Sequence, residues 1–207
     1  GSEGSVEPVP ETEATIKTLT GGMIGGTLEP VTTVTWENLT KYDSQGTAYI
    51  FSVKEVDSSG IDYVPDSYVK AEDGLTVTNT FKPSLVLTKV DSDGETPLIG
   101  AKFVIYKGDE SGPSGDPIQP EQTTDAAGKA TFAALEDGTY WIAETQPPSG
   151  YNWLSEPIGP FVVAEGVITG PEAYTPVQIT DAATGQFTGN YGITVENRPL
   201  TELPQAG

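Results

Sequence analysis

Short runs in which every second residue is apolar, broken by Gly, Pro and Asp turns, dominate this chain. Leu85-Val86-Leu87-Thr88-Lys89, Tyr140-Trp141-Ile142-Ala143-Glu144 and Ile193-Thr194-Val195-Glu196-Asn197 are three of them. A period of two places residues i and i+2 on one face of a strand. No segment carries a sustained 3.6-residue stripe. Between 24 Gly and 17 Pro the frequent residues are Thr, Val, Ile and Tyr, so the chain is expected to be all-β with many short strands.

The pattern occurs twice. The first copy has Trp36-Glu37-Asn38-Leu39, then Phe51-Ser52-Val53-Lys54-Glu55, then Leu75-Thr76-Val77-Thr78-Asn79. The second has Phe132-Ala133-Ala134-Leu135, then Tyr140-Trp141-Ile142-Ala143-Glu144, then Ile193-Thr194-Val195-Glu196-Asn197. Each runs aromatic-x-x-Leu, apolar-x-apolar-x-Glu and apolar-x-apolar-x-Asn, with a Pro following at Pro83 or Pro199. Two tandem domains are the natural inference. Their junction falls near Lys82-Pro83-Ser84, too short for a flexible linker. In the second copy, strands are expected near 85–90, 101–107, 129–134, 139–145, 160–164, 175–180 and 192–197, with a loop over 108–118. About seven short strands suit an Ig-like sandwich.

A net charge of -20 repels nucleic-acid phosphates and anionic membrane surfaces, so neither partner is expected. With no Cys and no His there are no disulfides, no thiolate or imidazole metal sites and no Ser-His-Asp triad. Asp91-Ser92-Asp93-Gly94-Glu95 lacks the full spacing of a calcium loop and reads as a turn. Gly21-Gly22-Met23-Ile24-Gly25-Gly26 lacks the Lys-Ser/Thr of a phosphate loop and reads as a hairpin. No metal or cofactor is implied. No apolar run is long enough to span a bilayer as a helix.

The second copy places three polar side chains on apolar faces. Lys89 shares its face with Leu85 and Leu87, Glu144 with Tyr140 and Ile142, and Asn197 with Ile193 and Val195. If these faces form the core, all three are buried. Burial lowers the pKa of a Lys and raises that of a Glu. A neutral Lys89 amine is a nucleophile and the Asn197 carboxamide an electrophile. A protonated Glu144 could bond the amide oxygen and relay protons as ammonia leaves. Taken singly, each residue could sit at a strand end and reach water; all three, in this order, favour the chemical reading.

Leu87-Thr88-Lys89-Val90-Asp91, Gly100-Ala101-Lys102-Phe103-Val104-Ile105-Tyr106 and the stretch Tyr140 to Tyr151 resemble the collagen-adhesin B-type (Cna B-type) domains of Gram-positive pilins and adhesins. Glu144-Thr145-x-x-Pro148-x-Gly150-Tyr151 resembles the E-box of that family. The resemblance implies an inverse Ig-like sandwich over 84–198. It also implies an isopeptide bond between Lys89 and Asn197, joining first and last strands, with Glu144 as its catalytic carboxyl. A loop of about 100 residues closed in this way is worth roughly 4–5 kcal/mol in the chain-entropy view. Such chemistry happens once per chain; it is not turnover catalysis.

Segment 14–83 resembles the same family, with Glu55 and Asn79 at the matching positions. Glu55 is the possible carboxyl there and Asn79 the possible acceptor of a second bond. The family's first-strand Lys has no counterpart, because Gly1 to Glu13 contains none and Lys17 falls on what reads as the second strand, Ala14 to Leu19. Three explanations compete: a boundary cut within the domain, a strand supplied by another chain, or a lost bond. The opening Gly1-Ser2 reads as a cloning remnant ahead of a flexible 1–13.

The tail, 199–207, ends Leu203-Pro204-Gln205-Ala206-Gly207, which resembles a Leu-Pro-x-Thr-Gly sorting signal with Ala for Thr. That implies sortase as a partner, other pilin subunits or peptidoglycan as acceptor, and an extracellular, wall-anchored location. The apolar stretch and basic tail that usually follow such a signal are expected to have been trimmed. No Pro-Lys pilin motif is evident, so a basal or accessory pilin or an adhesin stalk fits best. A second class of function is adhesion, with loops recognising a host extracellular-matrix protein or glycan and Trp153 as a candidate contact.

Overall fold

The computed structural model describes residues 16–17, 23–24, 27–28 and 33–200. Strands follow in the order β1 (Met23–Ile24), β2 (Thr27–Leu28), β3 (Tyr68–Asp73), β4 (Thr76–Phe81), β5 (Leu85–Asp91), β6 (Lys102–Asp109) and β7 (Gly112–Ser114). They continue as β8 (Gln122–Thr123), β9 (Lys129–Phe132), β10 (Gly138–Gln146), β11 (Ile158–Ala164), β12 (Val167–Thr169), β13 (Val177–Thr180) and β14 (Phe187–Asn197). One turn of 3-10 helix spans Glu172–Tyr174. None of the described residues forms a helix long and apolar enough to cross a membrane. The all-β expectation is borne out.

The chain divides into two compact units, 1–63 with 72–77 and 64–71 with 78–207. In the second, one sheet runs β12-β11-β10-β6-β7, with β8 also on β6, and the other runs β13-β14-β5-β9. β5 and β14, the first and last strands of the sandwich, are parallel neighbours. Val195 lies opposite Lys89 and Asn197 opposite Asp91. All seven strands expected here are present. The loop expected over 108–118 instead folds back on β6 as β7, with Lys107 opposite Ser114.

The core lies between these two sheets. β5 contributes Leu85 and Leu87, β6 Phe103 and Ile105, β10 Tyr140 and Ile142, β11 Phe161 and Val163, and β14 Ile193 and Val195. These are the inward members of each alternation. Each such side chain stabilises the fold by about 1.5–3 kcal/mol when fully buried. That total can carry a few costly polar groups in the same layer.

The unit begins before the expected junction because the approach to β5 packs on it. A Cβ on Gly189, whose φ is +83, would sit 2.4 Å from the Phe81 ring. Ser84 donates its N–H to Asn190 Oδ1 at 2.9 Å, and Leu135 donates to the Pro83 carbonyl at 2.8 Å.

The chain ahead of residue 83 is different. β1 and β2 pair antiparallel, forming the Gly-rich hairpin that the sequence implies. Phe51, Val53 and Glu55 are half-buried and Ser52 and Lys54 exposed, so the alternation survives, but 51–55 forms no strand ladder. No described residue from 33 to 82 is buried. Ile50 is 98 % exposed and Leu75 70 % exposed. Asn79 is also exposed, contrary to the expectation of an inward Asn. The reason is that its face-mate Leu75 meets no covering layer among the described residues.

One glycine holds the strand that carries Lys89. Gly128 has φ +73, accepts the Lys89 N–H at 2.7 Å, and leaves only 2.4 Å between a would-be Cβ and the Lys89 carbonyl oxygen. Gly128→Ala should therefore destabilise the second unit by about 1–3 kcal/mol, from left-handed strain plus a backbone clash. Urea unfolding of the two proteins, with tryptophan fluorescence as readout, checks this.

Candidate functional site

Lys89, Glu144 and Asn197 come from three different strands. Lys89 is the third inward residue of the Leu85-Leu87-Lys89 alternation on β5, Asn197 closes β14, and Glu144 reaches across from β10 in the opposite sheet. Their exposures are 0 %, 3 % and 5 % for Lys89, Glu144 and Asn197. Because β5 and β14 are parallel and in register, Lys89 and Asn197 are diagonal neighbours on one face, within side-chain reach.

Glu144 lies between the other two. Its Oε1 is 3.9 Å from Lys89 Nζ and accepts an N–H of the Asn197 carboxamide at 3.3 Å. Its Oε2 accepts the Leu154 backbone N–H at 2.6 Å. Asn197 Nδ2 donates a second bond, at 2.8 Å, to the backbone carbonyl of Asn152. Among the described residues, Lys89 Nζ has no hydrogen-bond partner. A buried amine without one costs several kcal/mol if charged.

Electrostatics follow from burial. Desolvation pushes the Lys89 amine down from 10.5 to about 8, against the smaller opposing pull of Glu144 and Glu196. Desolvation also raises the Glu144 carboxyl, opposed by the Leu154 N–H, Lys89 and Asn197. Both shifts run toward the neutral forms of the two groups.

The geometry differs from expectation in one respect. Glu144 was expected to bond the amide oxygen of Asn197; instead it faces the amide nitrogen. The Asn152 carbonyl is an acceptor only, so the group facing it must be the NH2. Glu144 Oε1 thus lies between the Lys89 amine and the nitrogen of the Asn197 carboxamide, away from the carboxamide oxygen.

The segment after the Pro147-Pro148-Ser149-Gly150 turn closes the site. Asn152 donates its N–H to the Arg198 carbonyl at 2.9 Å, and Leu200 donates to the Gly150 carbonyl at 2.9 Å. The Tyr151 hydroxyl donates to Asp91 Oδ2 at 3.0 Å. The Trp153 indole N–H bonds the Glu144 carbonyl at 3.0 Å, although the residue is 60 % exposed. Sequence reasoning missed Asn152 and Leu154, whose contributions come from the backbone. The turn residues directly after Glu144, which return the chain to the same strand, were the available signal.

The remaining candidates do not join this site. Glu55 is half-buried and Asn79 exposed, so no dry pocket surrounds them among the described residues. Lys17 is exposed, bonds the Thr35 carbonyl and lies over the Trp36 ring. Asp91 to Thr96 is a turn, closed by Gly94 N–H to the Asp91 carbonyl at 2.9 Å. Leu203, Pro204, Gln205, Ala206 and Gly207 lie outside the described residues, as do Gly1 to Glu13.

The chain has known relatives. Residues 13–80 match the family model of the Cna protein B-type domain, and residues 83–171 that of the SpaA prealbumin-like fold domain. The latter match includes Lys89 and Glu144 and stops short of Asn197. The chain therefore carries Cna B-type domains of the kind found in Gram-positive pilins and adhesins.

A collagen adhesin from Staphylococcus aureus is 52 % identical over 52 residues, 25 % of this chain and 4 % of that protein. Among solved structures, a group B streptococcus pilus 2b backbone protein is similar at 22 % identity and TM-score 0.44. That likeness covers 69 % of this chain and 53 % of the other. A C-terminal fragment of the pilus adhesin SpaC from Lactobacillus rhamnosus GG is similar at 22 % identity and TM-score 0.41, over 74 % and 55 %. The chain thus spans only part of each relative.

An unreacted Lys89 should leave a pH signature. A lysine whose folded pKa is depressed binds fewer protons folded than unfolded between about 8 and 10.5, so stability rises with pH across that window. In Asn197→Ala, where Lys89 stays free, stability relative to Lys89→Met/Asn197→Ala should improve by up to about 3 kcal/mol as pH rises from 8 to 10.5. Denaturant midpoints at several pH values measure that difference; a flat difference contradicts the desolvated amine.

Proposed function

We propose that the chain is a stalk module of a wall-anchored pilin or adhesin, strengthened by a self-formed Lys89–Asn197 isopeptide bond that Glu144 promotes. The observation behind this is the Lys89 amine, buried and unbonded, sharing Glu144 Oε1 with the Asn197 carboxamide. Lys89 Nζ attacks Asn197 Cγ and a new N–C bond forms. Glu144 takes a proton from the amine and delivers one to Asn197 Nδ2. The Cγ–Nδ2 bond breaks and ammonia leaves. Charge is conserved, the buried Lys89 amine becomes part of a neutral amide, and Glu144 is returned unchanged. The water-poor pocket holds the reactants together, which supplies effective molarity. Lys89 and Asn197 are consumed, so the reaction occurs once.

The topology gives the bond a mechanical meaning. Parallel β5 and β14 are the terminal strands, so a pull on the two ends of the sandwich shears them past each other. A covalent tie between them takes that load directly. With no Cys in the chain, no disulfide can do so. In the same reading, Leu203 to Gly207 is presented to sortase for transfer to peptidoglycan or another pilin subunit.

A second reading is adhesion. Trp153 is a large apolar side chain at 60 % exposure, and a relative is described as a collagen adhesin. Binding of an extracellular-matrix protein that disappears in Trp153→Phe, with the cross-link intact, favours it. Completion of the first unit by a strand from another chain is a further variant of this reading.

The cross-link has a direct test. The purified chain should weigh one ammonia less than its sequence, and peptide mapping should give a Lys89–Asn197 branched peptide. Glu144→Ala and Lys89→Ala should restore the full mass. Both should lose roughly 4–5 kcal/mol of stability, the loop-closure contribution. A full sequence mass for the parent chain refutes the bond.

A further inference from the structure

The Asn197 nitrogen sits in a cradle of two acceptors, the Asn152 carbonyl oxygen at 2.8 Å and Glu144 Oε1 at 3.3 Å. An NH2 group has two donors and fits both. A carboxylate oxygen in that place would face the Asn152 carbonyl, which can only accept, with no proton to offer it. The Asn152 carbonyl cannot turn away freely. Its residue is pinned by its own N–H to the Arg198 carbonyl at 2.9 Å and by Nδ2 to the Pro199 carbonyl at 3.4 Å.

We propose that the Asn152 carbonyl and Glu144 Oε1 make position 197 selective for a carboxamide over a carboxylate and fix which atom of that carboxamide leaves. Asn152 is thus a positioning residue for bond formation. This rests on the cross-linking reading above and adds the specificity of its acceptor.

Counting protons gives the consequence. Lys89, Glu144 and Asn197 react from a state holding one ionisable proton, shared between amine and carboxyl. With Asp at 197, the reacting state needs a second proton, on the Asp, so that its hydroxyl bonds the cradle and leaves as water. Lys–NH2 and Asp–COOH then give the same amide plus water. The charged or titratable groups around position 197 are Lys89 and Asp91 on β5, Glu144 on β10, Tyr151 on the closing segment, and the chain neighbours Glu196 and Arg198, of which Glu196 also acts on Lys89. Asp91 is taken up by the Tyr151 hydroxyl.

The experiment is intact-mass kinetics on Asn197→Asp, purified at pH 7.5 and then held at pH 7.5 or pH 5. The variant should arrive largely unreacted. It should then lose one water at least about tenfold faster at the lower pH, the size of a relieved buried acceptor–acceptor contact. Adding Asn152→Gly, which removes the Nδ2 bond and loosens the backbone that holds the carbonyl, should narrow the gap between the two pH values. In the Asn197 chain, Asn152→Gly should slow ammonia loss after a short expression pulse, a readout that does not depend on the Asp variant folding. Complete dehydration of Asn197→Asp at pH 7.5, or equal rates at both pH values, overturns the selection while leaving the cross-link standing. A parent chain at full sequence mass instead refutes the cross-link itself.

Discussion

The desolvation of one amine organises the second domain. Lys89 is fully buried, has no hydrogen bond among the described residues, and borders a core of Leu, Ile, Val, Ala, Phe and Tyr. A charged, unpaired ammonium there would cost more than most single contacts return. The fold tolerates it because an acid from the opposite sheet lies close enough to share its proton, and because burial shifts both groups toward neutrality. Everything that positions Lys89 serves that arrangement: the Gly128 turn that supports its strand, the parallel register with β14, and the closing segment that keeps Glu144 and Asn197 in place.

Two kinds of group build the site, and they differ in how far they can be read from sequence. Side chains on alternating strands announce themselves. Lys89, Glu144 and Asn197 each end a run of inward apolar residues, so a period of two was enough to place all three in the core. Backbone groups do not. The Asn152 carbonyl and the Leu154 N–H would be the same atoms whatever residues stood there, and only the path of the chain brings them to Asn197 and Glu144. The rotation of the Asn197 carboxamide was hidden for the same reason, since it is set by that backbone acceptor.

The first domain shows the converse. Its alternation was as clear on paper, with Tyr49, Phe51, Val53 and Glu55 in step. Yet Phe51, Val53 and Glu55 are only half-buried, Tyr49 is exposed, and Asn79 faces solvent. Alternation states which residues share a face. It does not state that another layer covers the face. In the second domain β10 and β6 cover β5 and β14 with Tyr140, Ile142, Phe103 and Ile105. Among the described residues of the first, nothing does so, and a Glu and an Asn at matching positions are then ordinary polar side chains.

This contrast bears on what a matching motif is worth. The chemistry assigned to Lys89 and Asn197 needs low dielectric as much as it needs residue identity. In water an amine near 10.5 stays protonated and an amide stays inert, whereas a dry layer moves the amine toward about 8 and places an acid beside it. The same pair of letters is therefore reactive or silent according to whether a second sheet closes over it. In the cross-link proposed above, the dry layer is supplied by residues that take no part in the reaction, and buried core residues of that kind are found over 84–198 and not among the described residues from 33 to 82.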